Sequence, residues 1–147
     1  MKSPMGIALR KAPPGSASQW LLYVSEFDNH RIQVFDSDTG AHVRMIGAGV
    51  KGAGPGQLNR PWGIALQEPA SGSGAPCLLY VADCCNHRVQ VFNADTGAYV
   101  RMIGAGRGSA VGQLEFPLGI VMHPGPDGKI LVFVSEITHK RVQVFEV

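Results

Sequence analysis

The 147-residue chain is 45% hydrophobic and 16% charged, so it can bury a core and lacks the composition of a disordered segment. Thirteen basic and eleven acidic residues leave a formal charge of +2, which demands no polyanionic partner. Nineteen glycines and ten prolines call for many tight turns, and so favour an all-β chain of short strands over a helical one.

Met1 to Arg10 has no long apolar core, which argues against a signal peptide. No run reaches the ~18 apolar residues of a membrane span. Four short apolar runs come first: Gly6–Leu9, Leu21–Ser25, Arg31–Phe35 and His42–Ile46. Ile32 and Val34 alternate with Arg31 and Gln33, and Val43 and Met45 with His42 and Arg44, which is the period of a strand. Asp36 to Gly40 reads as a hairpin turn, with the glycine supplying positive φ.

The same pattern then returns. Pro4-Met5-Gly6-Ile7-Ala8-Leu9 recurs as Pro61-Trp62-Gly63-Ile64-Ala65-Leu66 and as Pro117-Leu118-Gly119-Ile120-Val121-Met122. Leu21-Leu22-Tyr23-Val24 recurs at Leu78 to Val81, and Asn29-His30-Arg31 at Asn86-His87-Arg88. The expected organisation is one domain over 1–147, with repeats at 4–60, 61–116 and 117–147, the last without its outer strand. Repeated four-stranded antiparallel units are the blades of a β-propeller, and each needs a neighbour to cover its apolar faces.

Several motifs invite a functional reading. Asn29-His30-Arg31 recurs with every copy, as Asn86-His87-Arg88 and, in part, at Arg141, whereas a catalytic site is built once. A structural role is therefore expected, with Arg31, Arg88 and Arg141 pairing Glu26, Asp83 and Glu136. Cys84, Cys85 and His87 are too few and badly spaced for a zinc site, and the odd cysteine count favours a reducing compartment. Gly47-Ala48-Gly49-Val50-Lys51-Gly52 matches a dinucleotide fingerprint in letters, but no helix follows it. No metal or cofactor is expected. Arg44, Lys51, Arg60, Arg101 and Arg107, with Trp62, are the candidate binding surface. They fall near the glycine-rich loops at 48–60 and 105–114, where binding function tends to sit.

Tyr80-Val81-Ala82-Asp83, followed by Asn86-His87-Arg88-Val89-Gln90-Val91-Phe92, resembles the signature of an NHL repeat. Tyr23 to Glu26 with Asn29 to Phe35, the Pro-x-Gly-Ile-Ala segments and the Gly-Gln-Leu approaches at 56–58 and 112–114 carry the same resemblance. The third copy departs from it, with His139-Lys140 in place of Asn-His, and the ~57-residue period exceeds the family's usual forty-odd. The resemblance implies an NHL-type propeller, usually closed by six blades, so three blades suggest a half or open ring. It also implies a non-catalytic protein-binding module, such as the substrate reader of a ubiquitin ligase. RNA binding through the basic rim is the alternative, and a propeller lyase or hydrolase a remoter one. The partners expected are a protein, RNA, or a second copy completing a six-bladed ring, in the cytoplasm or nucleus and without a membrane.

Overall fold

The computed structural model describes residues 1–147 apart from the side chain of Asp127. It contains three antiparallel sheets of consecutive strands. Blade one holds β1 (Pro4–Lys11), β2 (Trp20–Glu26), β3 (Arg31–Asp36) and β4 (His42–Ile46). Blade two holds β5 (Pro61–Gln67), β6 (Leu78–Asp83), β7 (Arg88–Asn93) and β8 (Tyr99–Ile103). Among the described residues, blade three holds β9 (Pro117–Pro124), β10 (Ile130–Glu136) and β11 (Arg141–Glu146). Two 3-10 turns, Cys84–Asn86 and Pro126–Gly128, were not legible as turns of that kind in the residue pattern. Among the described residues no helix is long and apolar enough to cross a membrane.

The turns form for local reasons. Asp36 Oδ1 accepts the amides of Asp38 and Thr39 at 2.9 and 2.8 Å, and Asn93 Oδ1 does the same for Asp95 and Thr96. Gly40 and Gly97 then close the hairpins at φ of 73° and 78°. Hydrogen bonds from Ser18 and Thr39 hold the Asp36 carboxyl down at about 2.

The blades stack through their innermost strands, with β1 against β5 and β5 against β9. Gly6 and Gly63 allow that approach. A Cβ on Gly6 would lie 2.5 Å from the carbonyl oxygen of Trp62, and one on Gly63 would collide with that of Leu118. Farther out, Tyr23, Ile32, Val34 and Ile46 of blade one pack on Leu79, Val81 and Phe92 of blade two. Tyr80, Val89, Val91 and Ile103 then pack on Val132 and Val134 of blade three. Each such aliphatic side chain contributes roughly 1.5–3 kcal/mol when fully buried, so the joints between blades are the core of the molecule.

Candidate binding surface

The recurring ion pairs lie at one end of each blade. Glu26, Asp83 and Glu136 end β2, β6 and β10 and are buried. Arg31 Nε donates to Glu26 at 2.5 Å, Arg88 Nε to Asp83 at 2.9 Å and Arg141 Nε to Glu136 at 2.8 Å. Each carboxylate also accepts a backbone amide from the segment before the inner strand: Lys2, Asn59 and Glu115 at 3.0, 2.7 and 2.8 Å. Burial alone would raise the carboxyls of Glu26 and Glu136. Together the hydrogen bonds from Arg31 and Arg141, those from Asn29, Gln143 and the amides of Lys2 and Glu115, and the arginine charges outweigh it and hold both below the usual carboxylate range.

The glycine-rich loops are bound to these hubs. Arg88 Nη2 donates to the carbonyls of Gly54 and Gln57, Gln90 Nε2 to that of Gln57, and Asn86 Nδ2 to that of Gly52. Arg141 and Gln143 hold Gln113 in the same way. Leu58 and Leu114, at the ends of the loops, are fully buried. Much of the polar backbone of 48–60 and 105–114 is thus committed to the fold.

The histidines of the repeat take part in this tie. His30 and His87 sit in the left-handed region at φ of 53° and 56°. Their Nδ1 atoms accept the amides of Arg60 and Phe116 at 3.1 and 3.2 Å, from residues that are left-handed themselves. Burial lowers both imidazole pKa values, with Lys51 and Arg60 adding to the effect at His30 and Arg107 at His87. Asn29 and Asn86 accompany them in the same turns, and Lys140 occupies the third such position at φ 49°.

The six candidate surface residues do not act as one set. Arg44 and Arg101 lie on the outer strands beside Tyr23 and Tyr80; Arg101 Nη2 donates to Tyr80 Oη at 3.0 Å. Arg107 is matched by Glu115 at 2.6 Å. Lys51 and Arg60 fall near His30, and Arg60 lies over the ring of Phe27 at 5.1 Å. Phe27 meets Trp62 edge-on at 5.4 Å, so Lys51, Arg60 and Trp62 share one neighbourhood.

A cleft of about 580 Å³ lies at the opposite end of the blades. It is walled by the β1–β2 loop (Ala12 to Pro14), the β5–β6 loop (Glu68, Pro69, Ala75) and the β7–β8 turn at Asp95. Arg10 lies at its base, 7% exposed, with Nη1 3.1 Å from Asp95 Oδ1 and Nε 3.7 Å from Glu68 Oε1. The nearby Cys77 thiol is pushed up to about 12 by burial. Cys84 is likewise pushed up to about 12, by burial and by Cys85, so neither thiol is ionised near neutrality. Among the described residues, no three His, Cys, Asp or Glu side chains converge as metal ligands.

Two blade faces remain open. On blade three, Val121, Val142 and Val144 are 64%, 59% and 53% exposed. A shallow apolar hollow of about 180 Å³ lies there, between Gly119, Phe133 and Ser135. On blade one, Met5, Ile7 and Leu9 are exposed. Ser25 Oγ, in blade one, accepts the Gly6 amide and donates across the joint to the Trp62 carbonyl at 2.5 Å. Ser135 Oγ accepts the Gly119 amide at 2.9 Å in the same way.

Residues 78–92 match the family model described as the NHL repeat. Among solved structures, the chain is similar to a putative phosphatase from Bacteroides thetaiotaomicron, with a TM-score of 0.62 and 14% identity over 96% of this chain and 35% of that one. It is also similar to the hydrazine synthase of Kuenenia stuttgartiensis, with a TM-score of 0.51 and 20% identity over 98% of this chain and 37% of that one. The chain thus spans about a third of the length of either, and at such identities the likeness concerns the fold alone. No curated protein gives a match. The chain thus carries an NHL repeat at residues 78–92, and its stacked antiparallel sheets form a β-propeller segment in an open arc.

Proposed function

We propose that the chain is a non-catalytic protein-interaction module that binds through its open blade faces. One observation carries the reading: Val142 and Val144 are more than half exposed, while their counterparts Ile32, Val34, Val89 and Val91 are fully buried by the next blade. Apolar area of this kind, contiguous on one face, favours association. A second copy fits both faces, because its blade one carries the surface that blade two presents to blade one. Two copies joined this way would complete a six-bladed ring. Light scattering tests this: a mass of twice 15.7 kDa is expected, and a monomer at high concentration refutes it. A substrate-reading role in a ubiquitin ligase is one form such binding takes under the family resemblance.

The neighbourhood of Lys51, Arg60, Phe27 and Trp62 favours a second reading, contact with single-stranded RNA by charge and stacking. Affinity for a short RNA should then fall as salt rises, and should fall further in Arg60→Ala. Salt-independent binding would remove this reading.

A further inference from the structure

The repeat is broken at one point in the joint between blades one and two. In blade two, Arg101 Nη2 donates to Tyr80 Oη at 3.0 Å, and Tyr80 Oη donates to Gln67 Oε1 at 2.6 Å. An arginine, a phenol and a neutral amide thus close on one another. The equivalent residues of blade one are Arg44, Tyr23 and Arg10, which puts two guanidiniums around one phenol. The same chain of hydrogen bonds does not re-form. Tyr23 Oη turns instead to the Ala94 carbonyl at 3.1 Å. Arg10 donates Nε to the Lys11 carbonyl at 3.1 Å, and its side chain is only 6% exposed. Its Nη1 lies 3.1 Å from Asp95 Oδ1 but is too poorly aligned to donate to it. Among the described residues, four buried side-chain polar atoms have no hydrogen-bond partner, and three of them are in this joint: Arg10 Nη1, Arg44 Nε and Asp95 Oδ1. Such buried groups cost free energy that a ligand of matching charge recovers.

We infer that this joint binds the carboxylate of a compact apolar acid, either free or at the C-terminus of a peptide. The cleft over Arg10 holds the apolar body, between walls of Ala12, Pro13, Pro14 and Pro69. A second hollow of about 320 Å³, with Arg44 in its lining, adjoins it across Pro13 and Asp95. Around the two hollows Arg10, Lys11 and Arg44 face Glu68 and Asp95, so the cations exceed the carboxylates by one and a monoanion balances them. A phosphate dianion would overcompensate beside Asp95 and Glu68, whereas a carboxylate matches the planar fork of a guanidinium. Glu68 is the rival occupant. Its carboxylate stands 3.7 Å from Arg10 Nε, beyond hydrogen-bond reach, and its side chain is 56% exposed, so it can yield. Both blades of this joint have four strands, and the site does not depend on association of the open faces.

The test uses the full 147-residue chain with two probes, phenylacetate for a free acid and N-acetylphenylalanine for a peptide terminus, each beside its neutral amide. Saturable binding of at least one acid is expected by NMR titration, with shifts at the backbone amides of Lys11, Glu68 and Asp95. The neutral amides should bind about tenfold more weakly, since they forgo a charge-assisted hydrogen bond. A preference for one acid identifies the source of the carboxylate. Arg10→Gln gives blade one the residue that blade two carries at that place, so it should keep the fold by thermal melting and weaken binding about tenfold. Should it unfold, Arg10→Gln with Asp95→Asn removes both members of the pair and applies the same test. Glu68→Gln removes the rival charge and should tighten binding about threefold. No binding of either acid at millimolar concentration, equal binding of the amides, or unchanged binding in a folded Arg10 variant would each overturn the inference and leave Arg10 as a tie between blades.

Discussion

Blades two and three use the same five residues, Arg-Val-Gln-Val-Phe, for their third strand, and the two strands live in different surroundings. Val89 and Val91 of β7 are fully buried, as is Phe92 on the other face; Val142 and Val144 of β11 are 59% and 53% exposed. The residues are equal, so the difference belongs to the neighbours. Blade two is covered by blade one on one side and by blade three on the other, whereas among the described residues blade three packs on blade two alone. A blade is thus half of two interfaces rather than a core of its own, and its stability is shared with whatever stacks on it.

The sharpest way to break the comparison is to place a charge at equivalent positions. Val89→Lys buries an unpaired ammonium and should cost about 5 kcal/mol in urea unfolding, enough to threaten the fold. Val142→Lys, measured at low protein concentration, should cost under about 0.5 kcal/mol. Equal losses would mean that the face of blade three is not open.

Asp83→Ala comes next, at about 4 kcal/mol, because it strands Arg88 and Gln90 and frees the Asn59 amide. A loss below 1 kcal/mol by the same measurement would show that the hub does not join the blades. Gly63→Ala should cost about 3 kcal/mol, since the Leu118 backbone cannot retreat as a side chain would. Gly119→Ala meets only the Ser135 hydroxyl, at 2.8 Å, and should cost about 1 kcal/mol. Reversal of that order would contradict the idea that glycine serves the joint rather than the strand.

The smallest effect is a pH dependence. The folded-state pKa values of His30 and His87 are depressed, so the unfolded chain takes up protons first. The stability tied to these imidazoles is complete above their unfolded value of about 6.5 and is lost as pH falls through the folded values. Glu26 and Glu136, also depressed, act lower, with their contribution lost as pH drops below about 4.3. Thermal melts between pH 7 and 5 should therefore show a decline in Tm that is flattened in a His30→Asn, His87→Asn double variant. An unchanged slope in that variant would assign the decline elsewhere.

The blade pattern was legible because it rests on short-range rules. Alternation in Arg31–Phe35, the Asp36 and Asn93 turns and the recurrence of Pro-x-Gly-Ile all read directly from residue order, and the strands lie where those signals put them. The surface was less legible. Arg44 and Arg101 look like free cations in the sequence, yet they sit beside Tyr23 and Tyr80. The loops at 48–60 and 105–114 look like spare surface, yet their carbonyls are acceptors for Arg88 and Arg141. The cleft over Arg10 joins three segments far apart in the chain, and no local signal marks it.

The residue order by itself determined the strands, the turns and their threefold repetition, because backbone preference and alternation act over a few residues. Which faces of those repeats meet a neighbour, and which of their charges are spent on one another, was decided only when the blades stacked. Burial and ion pairing depend on distance in space, and identical sequences at the middle and the end of an arc do not share the same space.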